Sequence, residues 1–122
     1  MNALADGLVV VVALEHLWFL VLEMFLWTKP IGLRTFRQTE ERAKATATLA
    51  ANQGLYNGFL AAGLVWGLLA GPADVAVSIK LFFLACIVVA GAFGAATVSR
   101  RIFFIQALPA TIAMALVLSA RT

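Results

Sequence analysis

Side chains capable of acid–base and hydrogen-bond chemistry stand inside long apolar stretches of this sequence. The first stretch carries two glutamates, the single imidazole and two tryptophans; later stretches carry amides and a phenol. In chain order the candidate site residues are Glu15, His16, Trp18, Glu23, Trp27, Asn52, Gln53, Tyr56, Asn57 and Gln106. Carboxyl and imidazole groups can exchange protons, and amides can hold a small molecule by hydrogen bonds. The pattern predicts a polar pocket enclosed by apolar walls.

Several other kinds of site are disfavoured by the same residues. The chain has one histidine, His16, and no Glu-x-x-His repeat of the kind that builds di-iron sites. A lone cysteine, Cys86, forms neither an intrachain disulfide nor a zinc cluster. No glycine-rich phosphate loop follows a strand, and no nucleophile is placed for a Ser-His-Asp arrangement. We therefore expect no metal and no cofactor.

Composition points to a lipid environment. Hydrophobic residues make up 63% of the 122 residues and charged residues 12%, whereas soluble domains are about 45–50% apolar and about 25% charged. A bilayer can cover apolar surface that a protein of this size could not bury. The net charge of +3 would suggest nucleic acid in a soluble protein, but here the basic residues lie in loops, where topology explains them better. The expected partner is the lipid bilayer, and nucleic acid is not expected.

Four stretches are long enough to cross about 30 Å of hydrocarbon as helices. They cover about residues 3–27, 46–69, 75–98 and 102–120, and the 28–45 loop joins the first two. We predict an all-α protein, an integral-membrane four-helix bundle, with residues 1–122 forming one transmembrane domain. The short later turns favour an up-down meander. The second helix is expected to begin near Glu40, outside the membrane, with Thr39 as its cap.

The basic residues predict the orientation of these spans. Five lie in the 28–45 loop and two, Arg100 and Arg101, in the third loop, which together make seven on one side. The other side has Arg121 and Lys80, which can reach the surface from its helix end. The positive-inside rule places the seven in the cytoplasm and both termini on the non-cytoplasmic side of the membrane.

Small residues predict where the helices approach one another, since close backbone contact supplies much of the packing energy in lipid. The second and third spans carry four such motifs, which are Gly54-x-x-x-Gly58, Gly63-x-x-x-Gly67, Ala90-x-x-x-Gly94 and Gly91-x-x-x-Ala95. We expect these two helices to touch along them, within one chain or between chains. Pro109 lies near the middle of the fourth span and predicts a kink there.

Depth along the helices sorts the polar residues into two layers. With about 1.5 Å of rise per residue, the group nearer the cytoplasm lies about 6–10 Å inside the span and a second group about 17 Å inside. The first layer contains Glu23, Asn52, Gln53 and Gln106, and the second contains Glu15, His16 and Asn57. We predict that the polar stripes of helices one and two face each other, with Gln106 closing the first layer. Trp27 is expected at the membrane interface and Trp18 near mid-membrane.

Three segments resemble a bacterial family of small membrane proteins, catalogued as domain of unknown function 1304. They are residues 14–16, residues 22–27 and residues 50–63, and the most specific part is Asn52-Gln53-Gly54-Leu55-Tyr56-Asn57-Gly58. The resemblance covers nearly the whole chain. It implies a length of about 120 residues, four membrane helices and location in a bacterial inner membrane, and it implies no activity.

Three functions are compatible with this pattern. The polar pocket could bind or transport a small molecule or proton, with Glu15 as the exchangeable carboxyl. It could instead serve a membrane enzyme that performs acid–base chemistry on a lipid or isoprenoid, with Trp18 or Tyr56 stacked on the substrate. The protein could also be an accessory subunit whose polar face meets another membrane protein. The transport function would need a homo-oligomer, since four helices enclose too little volume for a pathway. The sequence favours the first.

Overall fold

The computed structural model describes residues 2–121, and this part of the chain is entirely helical apart from its connections. The elements are α1 (Ala3–Met24), α2 (Pro30–Phe36), α3 (Glu40–Leu69), α4 (Ala73–Thr97), a π-helical segment (Phe103–Ala107) and α5 (Leu108–Ser119). The predicted all-α class is confirmed. The described residues hold five α-helices where four were expected, because a short helix interrupts the first connection.

Side-chain caps explain where α1 and α3 begin. Oδ1 of Asn2 accepts hydrogen bonds from the backbone N–H groups of Leu4, at 3.0 Å, and Ala5, at 3.3 Å. Oγ1 of Thr39 accepts from the N–H of Arg42 at 3.2 Å, and acidic residues fill the first turn of α3. Such caps satisfy N–H groups that lack partners within the helix. The predicted start of the second long helix near Glu40 is confirmed.

The connection between α1 and α3 was expected to be a loop from residue 28, and this is wrong for Pro30–Phe36, which forms α2. Pro30 favours a helix start because its fixed backbone angle suits the first turn. Gly32 packs directly against the backbone carbonyl of Leu26, where a Cβ would collide. Arg37 ends α2 in the left-handed region, with φ of 51°. α1 itself ends at Met24, three residues earlier than expected.

A π-helical segment, Phe103–Ala107, lies directly before the first turn of α5, which contains Pro109. The N–H of Leu108 bonds the carbonyl of Phe103, five residues earlier, and Gln106 lies within this wider turn. Proline cannot donate the next backbone bond and crowds the turn before it, so a local change of helical pitch accommodates the ring. The irregularity expected near Pro109 is therefore a π-helical segment of five residues.

The chain divides into two compact units. The central unit is Leu14–Ala61, and the terminal unit contains residues 2–13 and 62–121. In the terminal unit Gly67 of α3 packs against Lys80 of α4, where an added Cβ would lie 2.6 Å from Cγ of the lysine. Gly91 of α4 packs against Ala107 at 2.7 Å by the same measure. The expected contact between α3 and α4 thus exists, but the small residues of α4 around Gly91 contact the π-helical segment and not α3.

Two helices within residues 2–121, α1 and α4, are long and apolar enough to cross a membrane by length and composition. The helical stretch Phe103–Ser119 is apolar but shorter. α3 is longer than either, at 30 residues, yet it does not meet the same hydropathy criterion. The amides of Asn52, Gln53 and Asn57 interrupt its apolar sequence.

Candidate functional site

A buried hydrogen bond joins Glu23 of α1 to Asn57 of α3 in the central unit. Nδ2 of Asn57 donates to Oε1 of Glu23 at 2.5 Å, and the two residues are 9% and 5% exposed. The amide donor and the carboxyl oxygen satisfy each other's hydrogen-bonding capacity where burial removes most water. The pair therefore links the two helices through a polar contact that water reaches little.

Two glycines of α3 allow α1 to approach closely enough for this bond. A Cβ added at Gly54 would lie 3.1 Å from Cβ of Glu23 and 2.7 Å from Cγ of Met24. A Cβ added at Gly58 would lie 2.7 Å from Cδ1 of Leu20. Gly54 contacts Glu23 and Met24, whereas Gly58, one turn later in α3, contacts the earlier residue Leu20 of α1. The two helices are therefore antiparallel in this unit. The Gly54-x-x-x-Gly58 motif was expected to contact the third span, but in the structure it packs against α1.

The placement of Glu23 and Asn57 in different layers is wrong. Depths had been counted along the helix axes from Trp27 and Thr46, which put Asn57 more than one turn deeper than Glu23. Side chains lean toward the N-terminus of their own helix, and in antiparallel helices these leans converge. The hydrogen bond from Asn57 to Glu23 shows that the two side chains meet at one level.

Glu15 and His16 form a second titratable group in the central unit. His16 is fully buried, and its ring packs edge-on against Phe19 with ring centroids 5.2 Å apart. Oε1 of Glu15 is buried and accepts no hydrogen bond from any residue between 2 and 121. Nδ1 of His16 lies 4.0 Å from this oxygen. A carboxyl oxygen with an imidazole beside it and no fixed donor is suited to take up a proton or a donor group from a ligand.

Trp27 closes the end of the central unit near α2. Its Nε1 donates to Oγ1 of Thr46 at 3.2 Å, and its ring lies against Phe36 with centroids 4.8 Å apart. The indole is therefore held by α2 and α3. Trp27 thus contributes to packing between α2 and the first turns of α3.

Four expected pocket residues lie on the surface of the molecule. Trp18 is 45% exposed and Tyr56 is 51% exposed, and Asn52 and Gln53 are also exposed. Asn52 and Gln53 were expected to share one layer with Glu23, on a stripe that faces α1, but the structure leaves both side chains exposed. α3 buries the face that contains Gly54 and Asn57, and at about 100° per residue Asn52 stands about 160° from Gly54. Gln106 is half-buried in the π-helical segment of the terminal unit.

An ion pair in the terminal unit escaped the sequence analysis. Nζ of Lys80 donates to Oδ1 of Asp6 at 2.7 Å, and Lys80 is 6% exposed. The sequence suggested that Lys80 can extend toward the membrane surface; in the structure its stem packs across Gly67 and its ammonium group meets the carboxylate of Asp6. A cavity of about 150 Å³ adjoins the pair. The ion pair could have been predicted, because Asp6 and Lys80 carry opposite charges near the same end of two apolar spans.

Among the described residues, no group of three or more His, Cys, Asp or Glu side chains is placed to hold a metal ion. Carboxyl, imidazole and amide groups can perform proton exchange and hydrogen bonding. Glu15 with His16, and Glu23 with Asn57, are the two places in the central unit where such groups meet.

Comparison with known proteins gives a family. Residues 10–118 match the family model described as Protein of unknown function (DUF1304). The chain is 30% identical over 108 residues to the uncharacterized protein YpaA of Lactococcus lactis subsp. lactis, which covers 87% of this chain and 89% of that protein. No solved structure matches the chain. The family match spans most of the sequence, including Glu15, Glu23 and Asn57, and the chain therefore belongs to the DUF1304 family.

Proposed function

We propose that this protein is a bacterial inner-membrane protein that exchanges a proton, or binds a small polar molecule, at carboxyl groups buried within its membrane-spanning helices. The proposal includes four spans, cytoplasmic loops rich in arginine and lysine, and both termini on the non-cytoplasmic side. It is supported by α1 and α4, which are long and apolar enough to cross a bilayer. It is also supported by the seven basic residues that the two proposed cytoplasmic loops share, five in residues 28–45 and two in residues 100–101.

The carboxyl group of Glu15 is the observation that carries the proposal. Its Oε1 is buried, lacks a hydrogen-bond donor within residues 2–121 and lies 4.0 Å from the imidazole of His16. An ionisable group in a membrane span costs several kcal/mol by most scales and usually marks a proton or substrate pathway. A carboxyl oxygen that accepts no hydrogen bond can take up a proton without first breaking one.

The Glu23–Asn57 pair has a different part in this proposal. The bond from Asn57 holds Oε1 of Glu23 in place, so this carboxyl is positioned while Glu15 is available for exchange. Both residues lie on α1, eight positions apart, which corresponds to about 12 Å along a helix. Glu23 would accept or supply the proton, or bind the polar end of a ligand, nearer the cytoplasmic side.

The enzyme alternative has less support. Acid–base chemistry on a lipid or isoprenoid would need apolar rings beside the carboxyl groups to hold the substrate. Trp18 and Tyr56, the expected stacking residues, are 45% and 51% exposed. Trp27 is engaged by Thr46 and Phe36. These positions favour a site for a proton or a small polar molecule over one for a long apolar substrate.

Proton exchange at Glu15 can be tested in lipid vesicles. Infrared difference spectra between acidic and neutral pH should contain a carboxyl C=O band that Glu15→Gln removes. Glu23→Gln is the matched control, since it removes the other glutamate carboxyl of α1 and leaves the Glu15 band in place. Vesicles that contain a pH-sensitive dye should also acidify more slowly with Glu15→Gln than with the native protein. A Glu15→Gln protein with an unchanged spectrum and unchanged proton flux would contradict the proposal.

The orientation has its own test. With Cys86→Ala as background, Thr35→Cys places a thiol in the proposed cytoplasmic connection and Ala73→Cys places one on the opposite side. An impermeant maleimide should label Ala73→Cys in intact cells and Thr35→Cys only in inverted vesicles. The reverse pattern, or labelling of both from one side, would exclude the proposed topology.

A further inference from the structure

The exposed face of α3 presents polar side chains where the proposed function places lipid. Asn52 stands at the centre of this face, on the opposite side of the helix from Gly54. It lies six residues after Thr46, the start of the second span, which is about 9 Å of helix. An amide that faces hydrocarbon loses its hydrogen bonds to water, and that costs several kcal/mol without a partner. A partner surface that offers hydrogen-bonding groups would remove this cost.

The residues around Asn52 have the spacing of a helix–helix seam. They are exposed and recur at intervals of four and three: Ala45, Leu49, Asn52, Tyr56 and Phe59. Leu49 is 73% exposed and Phe59 is 56% exposed, and the rings of Tyr56 and Phe59 lie 6.0 Å apart along the face. A period of 3.5 residues is the pattern by which two helices keep one continuous contact, and a single Asn in such a seam sets its register.

We propose that this face of α3 packs against the same face of a second copy of the chain, forming a parallel dimer in the membrane. The proposal rests on the proposed single orientation, because copies inserted the same way have parallel α3 helices. A twofold axis along the membrane normal then brings each seam residue to its own counterpart. Asn52 would face Asn52 of the second copy, and an amide can both donate to and accept from an identical amide.

Crosslinking tests the geometry of the dimer. In the Cys86→Ala background, Phe59→Cys should form a disulfide-linked homodimer in vesicles under mild oxidation. Phe93→Cys on α4 is the matched control, since it replaces a phenylalanine that is also exposed, at 70% against 56%, and it should remain uncrosslinked. Crosslinking at Phe93→Cys and not at Phe59→Cys would overturn the proposal, as would capture of Phe59→Cys only by a different membrane protein.

Association strength tests the role of the amide. By energy transfer between labelled copies diluted in vesicles, Asn52→Leu should weaken dimerisation about three- to twentyfold, the range expected for one interhelical polar bond in a membrane. Asn52→Gln should retain most of it. Gln53→Leu removes a neighbouring exposed amide about 100° away from the seam centre and should change dimerisation less. Equal or tighter association of Asn52→Leu, or a native protein that is monomeric at every dilution, would overturn the proposal.

The same variants separate this proposal from the proposed function. Infrared measurement of Glu15 on the Asn52→Leu protein should show the native carboxyl band, because Asn52 is remote from the buried face of α3. Loss of the Glu15 signal in a protein that still forms the dimer would refute proton exchange alone. An intact Glu15 signal in a protein without the Phe59→Cys crosslink would refute the dimer alone.

Discussion

Lys80 of α4 and Asp6 of α1 form an ion pair, 2.7 Å long, with side chains 8% and 20% exposed. The pair fastens the first helix to the fourth within the terminal unit. The lysine stem packs across Gly67 of α3. Lys80 of α4 therefore contacts both α1 and α3.

Removal of one member of this pair should destabilise the protein strongly. We expect Lys80→Met or Asp6→Leu to lower the free energy of unfolding by about 3 kcal/mol, because a buried charge is left without its partner. The double variant should recover most of this loss, since apolar pairs of similar volume often replace buried ion pairs at little cost. Denaturant titration in detergent measures both. Single variants as stable as the native protein would show that the pair contributes nothing.

The bond between Asn57 and Glu23 should also be visible as a coupling energy. Asn57→Leu keeps the volume but removes the donor, and we expect a loss of about 1–3 kcal/mol from the unsatisfied carboxyl oxygen. Glu23→Gln should cost less, because its amide oxygen can still accept from Asn57. In a double-mutant cycle, Glu23→Leu with Asn57→Leu should be more stable than the sum of the single losses predicts. Strict additivity would contradict a direct bond.

Glycine substitutions should report how closely α1 approaches α3. Gly54→Ala should lower the free energy of unfolding by about 1–3 kcal/mol, the usual cost of overpacking. The new methyl group would meet Cβ of Glu23 at 3.1 Å and the Leu20 carbonyl at 3.2 Å, neither of which can rotate away. Gly58→Ala should cost less, because only the flexible end of Leu20 lies near.

Gly7→Ala is the control for these substitutions. No atom lies within 4 Å of a Cβ at Gly7, and alanine is favoured over glycine in a helix by about 0.5–1 kcal/mol. We therefore expect Gly7→Ala to be neutral or slightly stabilising in the same titration. If Gly54→Ala behaved like Gly7→Ala, the close approach of α1 and α3 would be refuted.

Sequence reasoning was most effective for properties that depend on local order. Apolar stretches predicted a helical protein, and Thr39 with Glu40 and Glu41 predicted the start of α3 correctly. It missed α2, because a seven-residue helix leaves little periodic signal and depends on Gly32 packing beneath Leu26. It also selected Glu15, His16, Glu23 and Asn57 as unusual, since ionisable and amide groups are costly in apolar stretches.

The sequence by itself determined that the chain is helical and which polar groups stand within its apolar helices, because both follow from residue type and spacing along one element. Only the tertiary structure decided which partner each group meets. Rotation of α3 buries Asn57 and exposes Asn52, and a hydrogen bond joins Glu23 to Asn57, which had been expected in different layers. Close approach at Gly67 lets Lys80 turn inward to Asp6. The pairing of these side chains depends on how neighbouring helices are rotated and how closely they approach, and the sequence of one helix does not determine either.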